Sequence, residues 1–553
     1  MKSKFLNYIL DIFKYEPREK YNFILSNNDT QNNYNEIEPL EDLNTKVSPI
    51  ISDNLEYITS KFNSMINSDI KIRKFTVCAN GKFYKSFVLY IDGMSDPKSI
   101  NKFILSPLMQ KNRISAQGNY TIKLKSSFNL LNYIYSSLIP ENDVEKVKNF
   151  NDIIPFVNLG NCALFIDTLD TCLVIDAKGF EKRSISNPRN EIVIKGSQEA
   201  FVETIRTNTS ILRRLVNNEN LIIEDTSIGA VSKTKCAICY IKDIANSDLV
   251  AEVKYRINNL DIDYIISSGQ LESLIGENIR TTLPEVLSTE RPDTAATSLL
   301  DGRVVVLVNG TPIVLIMPCT FFDLLSSPED TNINYRFANF LKIIRLFACV
   351  ITLLLPGIYI AITNFHEELI PTELLFSIIA ARRAVPISIE TEIILMEIAF
   401  ELIHEAGIRV PSPIGSTMGI VGALVLGDAA VSANIVSPIS IIIVAITGLS
   451  SFAVPNYSLE FHFRIMRFVF IFLGAILGFL GIAIGIFIYL ALLVNLSSFG
   501  IPYLAPYVPL NKVNSNSYFL SPLWTREQRD DSLNTKRKNK QAHISMVWKN
   551  NRR

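Results

Sequence analysis

The chain has 553 residues, too many for one ordinary domain and enough to bury several cores. Its 54 basic residues balance 54 acidic ones, so net charge gives no polyanion-binding surface and no nucleic-acid partner is expected. Seven scattered cysteines, odd in number and without framework spacing, exclude the small disulfide-stapled class.

Residues 1–50 read as a variable, poorly ordered segment, with a solvated Asn/Asp/Gln-rich linker over Ser26–Asn35. The apolar stretch Phe5–Phe13 is short, is broken by Asp11 and lacks a small-residue cleavage site. The N-terminal domain is therefore expected to stay in the cytoplasm. From Ile51 the pattern tightens into a first α/β subdomain, 51–150. FTVCANGKFYKSFVLYIDGM (75–94) predicts two strands around an Asn80-Gly81 turn, and helical text follows over Ser99–Met109 and Phe128–Leu138.

A second α/β subdomain is expected over 151–335. NCALFIDTLDTCLVIDA (161–177) gives two apolar strands around Asp167–Asp170, and GSQEAFVETIRTNTSILRRLV (196–216) has helical spacing. Cys236-x-x-Cys239 lies in apolar strand text with no second ligand pair, so it reads as strand core. No phosphate loop, dinucleotide fingerprint or nucleophile elbow is present, so no enzyme, catalytic residue, cofactor or metal is expected. In TERPD (289–293), Glu290 and Arg291 suit an ion pair and rigid turn at a subunit contact; a polar loop before the next strand fits equally.

Text from Leu346 to Val494 is dominated by apolar residues, so a helical transmembrane domain is expected over 336–510. The fold class expected is thus an α/β soluble N-terminal domain of two subdomains followed by an α-helical polytopic membrane domain. Arg336, Lys342 and Arg345 precede the first span, and a basic cytoplasmic tail (511–553) follows the last. Both ends inside implies an even number of spans, roughly four full ones plus shorter inserted helices. Arg382-Arg383 and Arg464/Arg467 conflict with that count as positive-inside votes.

Two stretches carry chemistry. In ISIETEIILMEIAFELIHEAG (387–407), Glu390, Glu397, Glu401 and Glu405 fall on one helix face, with Glu392 off the line. Such a stripe either lies at the membrane surface or lines water in an assembled pore, where Glu rings favour cations. Asp428 is the lone acid in the apolar run 409–455, among Gly415, Gly419, Gly422 and Gly427. Glu390, Glu397, Glu401 and Asp428 are the candidate ion-path residues. Gly415 and Gly419, with Gly474, Gly478, Gly481 and Gly485 in the longest predicted span (468–494), are candidate helix-packing positions suited to self-association. SSFGIPYLAPYVPL reads as an interfacial cap against the bilayer, and the tail beyond Trp524 as a flexible cationic segment.

IDGMSD, LFIDTLDTCLVIDAKGFEKR, EAFVETIRTNTSILRR, TERPD, LVNGTP, GIRVPSPIGSTMGIVGALVLGDAAVSANIVSP and SSFGIPYLAPYVP, in this order along the chain, resemble the A subunit of GerA-type spore germinant receptors. The resemblance spans roughly residues 70–510. It departs after Ser327-Pro-Glu-Asp330, where Thr331–Asn334 stands in place of the family's usual aromatic pair. The resemblance implies a multi-pass protein of the inner spore membrane that works with a transporter-like B subunit and a lipoprotein C subunit. It also implies that small nutrients trigger germination through the receptor, with the A subunit oligomerising into a cation-release path. Two alternatives are a non-conducting scaffold that clusters receptors and a secondary transporter. The latter should show repeated membrane halves, and none is seen.

Overall fold

The computed structural model describes residues 23, 25, 46–79, 82–109, 130–179, 188, 190–278, 281–409, 427–509 and 518–540, without the side chains of 408 and 409. The predicted Asn80-Gly81 turn, the Ser26–Asn35 linker and Gly415, Gly419 and Gly422 lie outside these residues.

The N-terminal region is two lobes, each built on a five-stranded sheet. The first sheet contains β1 (Ile70–Ala79), β2 (Lys82–Ile91), β3 (Val144–Val147), β4 (Cys162–Ile166) and β5 (Cys172–Ile175) in the order β1-β2-β4-β5-β3. Helices α1 (Ile51–Lys61) and α2 (Phe150–Asn158) cover one face through Ile58, Phe87, Ile153 and Phe165. Helical turns at 97–109 and 130–138 cover the other face through Ile104, Ile134 and Leu164. With both faces buried, β4 and β5 read as unbroken apolar runs, although all pairings in the sheet are antiparallel.

The second sheet contains β6 (Leu221–Ile228), β7 (Thr234–Ile241), β8 (Leu287–Thr289), β9 (Val304–Val308) and β10 (Val314–Met317), in the order β6-β7-β9-β10-β8. Helices α3 (Ile205–Leu215), α4 (Ser247–Asn258), α5 (Ser268–Ile275) and α6 (Pro292–Asp301) flank it. Helices α4 and α5 pack on one face, and α3 and α6 on the other. Each lobe therefore follows the same sequence of elements and the same strand order. Asp96 and Asn246 mark equivalent points: each lies five residues past its second strand and caps the next helix.

The expected boundary at 150/151 is corrected by strand pairing. β4 joins β2 through Ser86↔Ile166 and its neighbours, so β4 and β5 belong to the first lobe. Apolar runs show that strands exist but not which distant partner they choose. The lobes are joined by Arg213, whose guanidinium meets both Asp69 carboxylate oxygens at 2.8 and 2.9 Å and the Asn67 side-chain oxygen at 2.9 Å.

The helical region holds α7 (Tyr335–Phe365), α8 (Thr372–Arg382), α9 (Ile389–Arg409), α10 (Pro438–Ser451) and α11 (Tyr457–Asn495). Among the described residues, α7 and α11 are long and apolar enough to cross a membrane. α11 is not one straight rod. Gly478 has φ 59° and ψ −139°, and a Cβ on Gly481 would meet the Leu473 carbonyl. Tyr489 packs on Phe470 and bonds His462 at 3.1 Å. In a straight helix, residues 27 apart lie roughly 40 Å apart, so α11 is a hairpin of two legs folded at Gly478. The turn sits against Phe365, at the far end of α7.

Two further expectations are corrected. Residues 497–509 do not cap a bilayer: Ser498, Phe499, Ile501 and Tyr503 are buried, Phe499 in the core of lobe 2. Ser498 Oγ donates to the Glu285 carbonyl at 2.6 Å and Tyr503 OH to the Pro284 carbonyl at 2.8 Å, so apolar and aromatic text here finds protein rather than lipid. The tail is also ordered over 518–540, where it folds back onto α7 and lobe 2.

A buried ion-pair ladder as the candidate functional site

The glutamate stripe of α9 faces its own chain. Glu390 accepts from Asn364, near the far end of α7. Glu392 accepts from the backbone N–H of Ser437, the N-cap of α10, and lies 3.5 Å from Arg382 of α8. Glu397 lies 3.1 Å from Arg467 on the first leg of α11, and both residues are 0% exposed. Glu401 is bonded by Arg464, which also lies 4.0 Å from Glu460, and Arg467 approaches Glu401 at 3.9 Å. Beyond the exposed, neutral contact of Glu390, the three ion-paired rungs of Glu392, Glu397 and Glu401 run along α9 in order, from the end shared with α7 toward the end nearer the lobes.

Local sequence explains this alignment. Glu397 and Glu401 are four residues apart on α9, and Arg464 and Arg467 three apart on α11, so each pair shares a helix face. α10 lies alongside in the same direction: a Cβ on Gly448 would collide with the Phe400 ring, and Phe452 stacks on His404 at 5.2 Å. The near end of the bundle is tied to lobe 2, where His462 Nδ1 and Thr282 Oγ1 lie 2.6 Å apart.

The middle rung is electrically paired but poorly hydrogen-bonded. Among the described residues, neither Glu397 oxygen nor any Arg467 guanidinium nitrogen has a hydrogen-bond partner. Such a pair adds little net stability, because desolvation offsets attraction, yet removing one partner strands the other charge. Glu392, set aside by the stripe argument, is also 0% exposed, and its Oε2 has no hydrogen-bond partner among the described residues.

The remaining predicted residues fall as follows. Asp428 is exposed, in the short helical stretch 427–432. The glycines of α11 pack within the chain: a Cβ on Gly474 would come 2.5 Å from the Gly357 carbonyl of α7, and one on Gly485 would meet Leu473 and Phe470. Gly478 makes the turn and Gly481 closes it. Glu290 and Arg291 are buried within their own lobe. Arg291 is fully buried, bonding Asp293, the Glu191 carbonyl and the Ser197 carbonyl, while Glu290 accepts from the N–H groups of Asn190 and Glu191. They pin the 190–198 loop to the start of α6. Cys236 and Cys239 are buried in β7, and burial pushes the Cys236 thiol up to about 12, so the strand-core reading fits them.

Sequence reasoning missed Arg464 and Arg467 as partners and treated them as topology signals. The available signal was their i,i+3 spacing within an apolar segment, where an arginine needs an acid.

The fold and site define a two-lobed α/β domain joined to a helical region whose buried charges are paired between helices. Residues 56–532 match the family described as Bacillus/Clostridium GerA spore germination protein, and the chain belongs to that family. It is 36% identical over 497 residues to spore germination protein KA of Bacillus subtilis (strain 168), covering 90% of this chain and 89% of that one. It is 35% identical over 496 residues to the uncharacterized membrane protein YfkQ of the same organism, covering 89% and 93%. A crystal structure of the N-terminal domain of the A subunit of the Bacillus megaterium germinant receptor GerK3 is 31% identical, with a TM-score of 0.39, and covers 50% of this chain and 97% of that one. The family is one of spore germination proteins rather than a class of enzymes. Family and apolar helices together indicate a membrane protein.

Proposed function

We propose that this chain is the A subunit of a nutrient germinant receptor in the inner spore membrane, with its two lobes in the cytoplasm. A transporter-like B subunit takes the nutrient, a lipoprotein C subunit completes the unit, and copies of this chain assemble around a path for cations. Arg336, Lys342 and Arg345 at the lobe end of α7 support this orientation, as does the return of 518–540 to lobe 2.

The observation that carries the gating reading is the ladder. Glu397 and Glu401 are neutralised by Arg467 and Arg464, so they serve as the lock of a closed state rather than as free carboxylates in a standing pore. Opening parts α9 from the first leg of α11 and gives the acids to water, where they attract cations. Nutrient acts by binding better to the assembly in its open arrangement.

Potassium release from spores tests this. Deleting the chain should abolish release for one nutrient class. Glu397→Gln and Glu401→Gln, at normal protein abundance, should release potassium at lower nutrient or with none. An unchanged dose response in both variants removes the lock. A scaffold that only clusters receptors predicts that unchanged response. A secondary transporter has less support, since the internal repeat among the described residues lies in the lobes.

A further inference from the structure

We infer that the edge of lobe 2, between the end of α6 and the turn after β7, is a docking surface whose partner is the chain's own post-membrane segment, residues 528–540. This segment is the missing piece of lobe 2, supplied from beyond the last helix.

The argument rests on the repeat. In lobe 1 the turn after β2 is closed by the residues that directly follow β5. Gly179 N–H donates to the Met94 carbonyl at 3.0 Å, Asp96 N–H donates to the Ala177 carbonyl at 2.8 Å, and Ser95 bridges Lys178. Gly160, at φ 94°, comes close enough for a Cβ to strike the Met94 carbonyl. In lobe 2 the equivalent of Met94 is Ile244, also three residues past its strand, and the equivalent of Gly160 is Gly302, at φ 98°. The residues following β10 do not return here: Phe321 N–H donates to the Tyr503 carbonyl, and the chain continues into α7. Instead Lys536 N–H donates to the Ile244 carbonyl at 3.0 Å, and the Asn246 side chain donates to the Asn534 carbonyl at 3.1 Å. A Cβ on Gly302 would strike Thr535 at 2.5 Å. In both lobes one carbonyl and one capping residue thus bond a short segment, local in the first and about 290 residues away in the second; the left-handed glycine abuts the turn in lobe 1 and the segment itself in lobe 2.

The segment is shaped for this seat. Its two arms pair through Arg529 N–H to the Lys538 carbonyl and Lys540 N–H to the Glu527 carbonyl, both at 2.7 Å. The Arg529 guanidinium, 7% exposed, takes three carbonyls: Leu300 at 2.8 Å on the last turn of α6, Arg537 at 2.9 Å and Asn539 at 2.8 Å. A cation is well placed at a helix C-terminus, where unsatisfied carbonyls gather. Lys540 pairs with Asp301, and Leu533 buries itself against Ile501 and Ala505. Arg529 and Lys540 thus meet carbonyl oxygens and an acid of the protein, while Lys536, Arg537 and Lys538 are exposed. This holds whether or not ions pass through the helices.

Hydrogen exchange on the full-length protein in lipid nanodiscs tests the inference. Wild-type amides of 528–540 should exchange at least ~100-fold more slowly than an unstructured peptide. Arg529→Ala should speed exchange by about tenfold or more in both 528–540 and 298–303, leaving 158–161 in lobe 1 unchanged. Arg529→Lys, which keeps the charge but lacks the planar fork, should show the same pattern at smaller amplitude. Peptide-like exchange of 528–540 in the wild type overturns the inference. So does acceleration confined to the tail in both variants, because lobe 2 would then be complete without it.

Discussion

At the residue scale the central question is how a protein tolerates Glu397 and Arg467 when both are 0% exposed. Neutral substitution of one partner leaves the other charge buried, a loss of about 3–5 kcal/mol. Arg467→Met should therefore lower the melting temperature in detergent, while Arg467→Met with Glu397→Met should recover most of it. If the double variant melts as low as the single, the pair is not the unit described. Glu272, in lobe 2, offers a second test outside the helices. Burial pushes its carboxyl up to about 7, so the folded domain disfavours the charged form. Its contribution to stability is complete below the ordinary carboxylate range and is lost as pH rises through about 7. Glu272→Gln should melt with wild type at pH 4.5 and above it at pH 8; equal melting at both values refutes the assignment. The glutamate stripe was legible because helical period is a local property. Its arginines were not, because Arg464 lies 63 residues beyond Glu401 and only packing brings them together.

At the element scale α11 shows how one unbroken apolar run hides two helices. Small residues at 474, 478, 481 and 485 suit close packing wherever another backbone arrives, and sequence alone does not say whether that backbone belongs to a second copy. Only the backbone at Gly478 decides it. The first leg has room to span roughly 30 Å and the second roughly 25 Å at 1.5 Å per residue. Gly478→Ala places a Cβ in a conformation L residues rarely adopt and 3.1 Å from the Phe365 side chain. Strain of this kind costs about 1–3 kcal/mol, so the variant should show a lower melting temperature in detergent. Retention of the wild-type melting temperature would argue for a straight α11. Gly474→Leu should be more damaging, since it forces α7 and α11 apart at the Gly357 carbonyl.

At the scale of the whole molecule, strand and helix types in the lobes could be read from alternation and apolar runs. The lobe boundary and the repeat could not, because both reside in which strands pair. The lobes bear on each other through Arg213, buried with Asp69. Arg213→Ala should destabilise the protein by about 3–5 kcal/mol in chemical denaturation, far beyond what a surface pair gives. A change under about 1 kcal/mol would mean the lobes do not depend on this contact. The seat of residues 528–540 has a consequence for synthesis. A ribosome delivers lobe 1 complete, but lobe 2 waits for residues made after every helix of the chain. The last part of lobe 2 to close is thus made after the long apolar helices, and a chain stopped before residue 528 leaves the Ile244 and Leu300 carbonyls without these partners.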